Sequence, residues 1–202
     1  MGPPTAEATL REALAMGSDR AVLLCDPALA GADTLATATA LCAGVQYLAP
    51  FDLVLFGTRT SDSDTGQVGP QTAVLAGLSM VTGTTGIDGT PDRLIVEREV
   101  DGFQEVYEVA TPASLTIHPA AAGPRDAALG SIAAAFDEMP VETLTIAQVG
   151  LDPNQVGDAG SPTRVRSMKP TKKDRACRWI DGPPTAQADE LVRQLVDAGL
   201  IG

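Results

Sequence analysis

The sequence predicts an α/β fold built on a parallel sheet, and three observations predict it. Over residues 5–78, stretches of helical periodicity alternate with short apolar runs in the order helix–strand–helix–strand–helix. That order joins parallel strands through right-handed crossovers. A loop of small residues, Gly57-Thr-Arg-Thr-Ser-Asp-Ser-Asp-Thr-Gly-Gln-Val-Gly-Pro70, leaves one apolar run and feeds a helix. Parallel α/β sheets commonly hold a phosphate at such a place. Two alternating runs flank Asp101-Gly102, a strong signal for an antiparallel hairpin.

The elements follow in order. Residues 5–16 carry Ala8, Leu10, Ala13, Leu14 and Met16 on one side of a helix that Thr5 could cap and Gly17 ends. Residues 20–25 form a buried strand and 26–31 a turn. Asp33 or Thr34 caps a long Ala-rich helix to about Leu48, and Pro50 blocks its continuation. Residues 51–56 are the second strand. The helix after the loop spans 71–78 with Val74, Leu75 and Leu78 at helical spacing, and Pro70 suits its first position. Residues 81–87 are β-rich, 93–100 and 103–109 make the hairpin, and 112–117 add another apolar strand. A loose, Ala-rich stretch at 120–135 precedes a short strand at 141–146. Residues 151–162 form a loop rich in Gly, Pro and Asp, 169–178 a basic cluster, and the chain ends in an amphipathic helix within 184–202. The division expected is an α/β domain over 1–150 and a C-terminal arm over 151–202 that packs on something else.

The totals bound the function. With 202 residues there is room for one sizeable core and an appendage. The net charge of −12 argues against nucleic acid as a main partner and against an anionic membrane surface. It leaves room for one phosphate, which backbone N–H groups can bind locally. Cys25, Cys42 and Cys177 are scattered and there is one histidine, His118, so neither a zinc cluster nor a disulfide framework is expected and a reducing compartment fits. No apolar stretch is long enough to cross a membrane.

Three stretches carry a resemblance. Asp62-Ser-Asp-Thr-Gly-Gln-Val-Gly-Pro70 is close to a D-x-D-T-G-Q-V-G-P loop, Val96-Glu-Arg-Glu-Val-Asp-Gly102 to a V-E-R-E-x-D-G hairpin, and Gly160-Ser-Pro-Thr163 is a third match. Ala13-Leu-Ala-Met-Gly17 and Ala32-Asp-Thr-Leu35 add to them. In order, and over essentially the whole chain, the sequence resembles the β subunit of electron transfer flavoproteins. The resemblance implies a Rossmann-like parallel sheet of the adenine-nucleotide-binding type. It implies a heterodimer with an α subunit that carries most contacts to a shared FAD. This chain would hold AMP, or a second FAD as in electron-bifurcating relatives. The pair would move electrons from flavin-dependent dehydrogenases to a quinone reductase or another acceptor, in the bacterial cytoplasm or a mitochondrial matrix. Gly57, Asp62, Ser63, Asp64, Thr65, Gly66 and Gln67 would then belong to the nucleotide's phosphate loop. Pro124, Arg125, Leu129 and Ile132 would recognise partner dehydrogenases, with Leu129 as the apolar anchor, and the C-terminal arm would wrap the α subunit.

Two departures accompany it. The family's first strands, roughly sixty residues by size, are expected to be missing, and with them half of the nucleotide pocket. Where relatives often carry lysines after the recognition loop, this chain has Ala135-Phe-Asp-Glu138.

Other readings compete for the same residues. Without the resemblance, 57–70 reads equally as a plain capped loop, and Leu129 as a helix core residue. Asp62-Ser-Asp-Thr65 superficially matches a D-x-D-x-T phosphotransferase nucleophile, but that chemistry needs the first Asp at the strand's end, and residues 57–61 intervene. A calcium loop lacks its third acidic position and terminal Glu. His118 has no Ser or Cys partner at a recognisable spacing. An adenine-nucleotide-binding regulatory module is the alternative to an electron-transfer subunit.

Overall fold

The computed structural model describes residues 1–169 and 177–201, in two compact units, Met1–Arg164 and Val165–Gly202. Residues 170–176, which hold most of the expected basic cluster, lie outside the described residues.

The first unit is α/β, as the pattern predicts. A 3-10 turn at Pro4–Ala6 leads into α1, Glu7–Ala15, so the helix starts on Ala6 without a side-chain cap and Thr5 does not serve as one. Strand β1, Ala21–Leu24, follows. Helix α2, Thr34–Leu48, is capped by Asp33, whose carboxylate accepts from the Leu35 and Ala36 N–H groups. Strand β2, Leu53–Gly57, ends at the small-residue loop, and α3, Val68–Ala76, begins inside that loop. Pro70 therefore sits in the first turn rather than at the first helical position. Strands β3, Ser79–Thr90, β4, Arg93–Val100, β5, Phe103–Ala110, and β6, Ala113–Ile117, come next. Helix α4, Leu129–Asp137, takes in the Ala-rich end of the 120–135 stretch. Strand β7, Val141–Leu144, and the short α5, Gly157–Gly160, complete the unit.

The strands divide between two sheets. Parallel β1 and β7 form one, in register Ala21 with Val141. The other runs β2-β6-β3-β4-β5, with β6 parallel to both β2 and β3, and β4 and β5 antiparallel to their neighbours. The periodicity places β1 and β2 as successive parallel strands, yet they are not hydrogen-bonded to each other. Each takes a partner from much later in the chain. Local pattern identifies a strand by its apolar content and leaves open which edge it pairs with.

Burial follows from this order. Central β6 is buried at Ala113, Ser114, Leu115 and Thr116, whereas edge strand β2 has no buried residue and leaves Leu55 55% exposed. Val81, Val96, Val109, Ala113 and Leu115 make the core of the larger sheet. Leu24, Leu29, Ala40, Leu144, Ile146 and Val156 make a second cluster, and Leu14, Ala15, Ala21 and Ala135 a third between α1 and α4. Helix α3 turns Gly69, Thr72 and Ala73 inward and exposes Val74 and Leu75, opposite to the sequence expectation. The reason is distance: a Cβ on Gly69 would meet Phe56 and Thr116 side-chain carbons at 3.1 Å, so only small residues fit that face.

In the second unit, α6 spans Pro184–Asp197. None of its residues is buried, and Leu191, Val192 and Val196 are about half exposed. Trp179 is exposed as well.

Candidate functional site

The site begins where β2 ends. Thr58 donates its hydroxyl hydrogen to the Ile117 carbonyl at 2.7 Å, tying the loop's start to the end of β6. The loop then bends back on itself: Gly66, at φ +62°, lies so close that an added Cβ would be 3.2 Å from the Thr58 carbonyl oxygen. A positive φ and a close backbone approach both favour glycine there. Between loop and helix is a cavity of about 180 Å³ lined by Gly57, Thr58, Arg59, Thr65, Gly66 and Gln67, among others.

The N-terminus of α3 opens onto this cavity. Its N-cap, Gln67, makes no side-chain capping hydrogen bond. The first N–H groups of a helix have no intrahelical acceptor and carry the positive end of the helix dipole, so they suit an anion. Pro70 offers no N–H, which leaves Val68 and Gly69 as the donors of the first turn. Gln67 turns its side-chain oxygen to the Thr34 hydroxyl at 3.1 Å, joining the starts of α2 and α3.

The seven residues expected in the phosphate loop separate into two groups. Gly57, Thr65, Gly66 and Gln67 line the cavity. Asp62, Ser63 and Asp64 form the loop's outer bend. Asp62 accepts from the Ser63 N–H at 2.7 Å, and Asp64, at φ 52°, pairs with Arg59 at 3.2 Å. The Thr60 hydroxyl first, and then the Ser63 N–H, hold the Asp62 carboxyl below the usual aspartate range. Neither carboxylate is part of the cavity lining, and the Arg59 guanidinium paired with Asp64 offsets part of their opposition to an anion inside. Arg59, which sequence reasoning did not single out, lines the cavity while pairing with Asp64. At about 180 Å³ the cavity is smaller than the roughly 300 Å³ at which ligand pockets begin. It fits the phosphate end of a nucleotide, not the whole of one.

A second feature was quoted in pieces by the sequence but not joined. Asp33 Oδ2 accepts from the Thr163 N–H at 3.0 Å and the Thr163 hydroxyl at 2.7 Å. The Asp33 N–H donates to Ser161 Oγ at 2.8 Å, and Ser161 donates to the Gly157 carbonyl at 2.7 Å. The stretches 32–35 and 160–163 therefore form one knot at the start of α2. The Ala36 N–H first, then the Thr163 hydroxyl, lower the Asp33 pKa against an opposing contribution from burial.

The expected docking residues lie elsewhere. Leu129, the first residue of α4, is 86% exposed, and Ile132 and Phe136 follow it on the same face at i+3 and i+7. Arg125, Ile132 and Phe136 share a groove of about 350 Å³ with Glu12, Ala15 and Met16. Pro124 immediately precedes the groove-lining Arg125. A larger, mainly apolar cavity of about 410 Å³ lies between Met1, Gly2, Pro3 and Pro4 and the segment after β1, and includes Cys25. Among the described residues no group of three or more His, Cys, Asp or Glu is placed to hold a metal ion, and no helix is long and apolar enough to cross a membrane.

Comparison with known proteins adds three relatives and a family. Residues 1–149 match the electron transfer flavoprotein domain. The chain is 40% identical over 195 residues to the electron transfer flavoprotein subunit beta of Thermoanaerobacterium thermosaccharolyticum, covering 96% of this chain and 75% of that one. It is 41% identical over 174 residues to the caffeyl-CoA reductase-Etf complex subunit CarD of Acetobacterium woodii, covering 86% of this chain and 66% of that one. It is 32% identical over 209 residues to the acryloyl-CoA reductase electron transfer subunit gamma of Anaerotignum propionicum, covering 100% of this chain and 78% of that one.

Proposed function

The chain belongs to the electron transfer flavoprotein family, as a β-type subunit, and from that premise we propose that it is the β half of a heterodimer that carries electrons from flavin-dependent dehydrogenases to a quinone reductase or another acceptor. Its role is that of a carrier subunit, completing the surroundings of an FAD shared with an α subunit and holding AMP, or a second FAD, of its own. The relatives named as parts of acyl-CoA-type reductase complexes support the electron-transfer part of this reading. The cytoplasm is the proposed location.

One observation carries the nucleotide part: the uncapped N-terminus of α3 faces a phosphate-sized cavity closed by Gly66. In the proposed mode the N–H groups of Val68 and Gly69, with the Thr65 hydroxyl, receive the phosphate. Arg59 adds a cation beside it, and the outer bend, Asp62, Ser63 and Asp64, shapes the loop. The rest of the nucleotide extends beyond the cavity. Docking of dehydrogenases is assigned to Pro124, Arg125, Leu129 and Ile132, with exposed Leu129 as the anchor. The arm over residues 151–202 packs on the α subunit, which gives the exposed apolar residues of α6 a partner.

The test is denaturing extraction of the purified heterodimer followed by mass spectrometry. The expected release is one FAD plus one AMP, or two FAD, per heterodimer. An intact yellow heterodimer that releases a single FAD and no second nucleotide overturns the binding assignment.

A further inference from the structure

We propose that Arg11 is a positioning residue for partner docking: from α1 it fixes the C-terminal end of α4, the helix that presents Leu129 and Ile132. The inference rests on the docking reading of α4 given above.

Arg11 is the polar group that joins the two helices. Its Nη1 donates to the carbonyl oxygens of Ala135 at 2.7 Å, Met139 at 3.2 Å and Phe136 at 3.3 Å. On its own helix it pairs with Glu7, through Nη2 at 2.7 Å and Nε at 2.9 Å. Its guanidinium carbon lies 5.6 Å from the centre of the Phe136 ring. The side chain is 19% exposed, so these contacts are largely shielded from water. The last carbonyls of a helix lack intrahelical donors and carry its negative dipole end, and a cation placed there satisfies both. The planar fork spreads several N–H groups in fixed directions, which a lysine ammonium cannot reproduce.

Helix α4 needs such a clamp. Nine residues are too few to be stable alone. Ala135 is its one buried residue, in the cluster with Leu14, Ala15 and Ala21. The other end, Leu129, has no side-chain N-cap beneath it and is almost fully exposed. The direction in which Leu129 points is therefore set by how the helix is held at Ala135 and beyond. Ile132 and Phe136 also form the α4 wall of the groove whose other wall is Glu12, Ala15 and Met16 of and after α1. Releasing the clamp lets α4 fray and rotate, which spreads the anchor over many orientations and widens the groove. A partner must then order these groups on binding, and association weakens while the electron-transfer step between correctly docked partners does not.

The test uses the heterodimer with its α subunit, at matched flavin content, as electron acceptor for an acyl-CoA dehydrogenase that reduces the wild type. KM for the heterodimer and kcat are measured for R11A, R11K, L129A and R11A/L129A. L129A raises KM. R11A raises it about tenfold, on the scale of one lost hydrogen bond, with kcat moving far less. R11K, which retains charge and guards against a folding defect, recovers only part of the loss. The double variant loses less than the two single effects combined, because much of Arg11's effect is exerted through Leu129. If L129A raises KM and R11A and R11K do not, or if their effects add, the positioning role is overturned. If L129A itself leaves KM unchanged, the docking reading of α4 fails first and takes this inference with it.

Discussion

Replacing Asp33 tests the knot that joins the start of α2 to residues 161–163. One carboxylate oxygen caps the helix, accepting from Leu35 and Ala36 at 3.0 Å each. The other holds the Thr163 N–H and hydroxyl. Asp33→Ala removes both functions. Loss of the cap costs about 0.5–2 kcal/mol. The two bonds to Thr163 are partly exposed, and their loss adds about 1 kcal/mol. The sum is roughly 1.5–3 kcal/mol, which for a chain of this size lowers Tm by roughly 3–12 °C. Asp33→Asn separates the two functions. Its carbonyl oxygen still caps, but its amide nitrogen donates and cannot accept from Thr163. It therefore costs about 1 kcal/mol, or roughly 2–4 °C. The assay is thermal unfolding of the purified protein followed by circular dichroism between pH 7 and pH 3. The native carboxyl titrates below the ordinary aspartate range, held there by the Ala36 N–H and then by the Thr163 hydroxyl. Its contribution is complete above the unfolded pKa of about 3.9 and is lost as pH falls through the lower folded value. The gap between wild type and Asp33→Asn thus stays constant from pH 7 to pH 5 and narrows only in the acid range. Equal melting of wild type and Asp33→Ala at pH 7 refutes the reasoning, and so does a gap that closes near neutrality.

Three further outcomes follow from the geometry. Gly69→Ala forces a methyl against Phe56 and Thr116, each at 3.1 Å, and costs about 1–3 kcal/mol by overpacking; thermal melting reads it, and an unchanged Tm contradicts the close approach. Gly66→Ala places a side chain at φ +62° beside the Thr58 carbonyl; under the proposed function, heterodimer carrying it releases less of the second nucleotide on denaturation than wild type and as much FAD from the shared site. Arg98→Ala removes the bonds to Glu105 at 2.6 Å and Thr82 at 3.1 Å and the stacking on Tyr107 at 5.2 Å. Amide exchange should then rise in β4 and β5 while β6 stays protected; uniform protection across the sheet contradicts a role for this pair in holding the hairpin.

Much of the molecule was legible because the signals are local. The cap of α2 was readable since Asp33 supplies an acceptor just before a run of helix formers. The hairpin was readable since Asp101-Gly102 separates two alternating runs, and it appears as β4 paired with β5. The loop at 57–70 was readable as the link from a strand to a helix. Within the loop, composition could not tell which residues face the cavity. Asp62 and Asp64 have the same chemistry as cavity-lining residues would need for ribose or metal, and only the bend at Asp64 sends them outward. Leu129 is a comparable case. Apolar spacing alone suits either a core or an exposed face, and it is the packing of Ala135 against Leu14 and Ala15 that leaves Leu129 outside. Arg11 gave no signal, since an arginine in an amphipathic helix reads as solvated until α4 is laid beside it.

By itself the sequence determined the α/β class, most elements, the hairpin and the family, because periodicity, turn residues and spaced motifs are written along the chain. Tertiary structure alone decided which strands pair, that β1 joins β7 and β2 joins β6 in separate sheets, and which face of α3 is buried. It also brought Asp33 to Thr163 and Arg11 to the end of α4. Those choices depend on contacts between residues far apart in the chain. Such contacts form only when loop closure is offset by burial and hydrogen bonding, a balance that no local window contains.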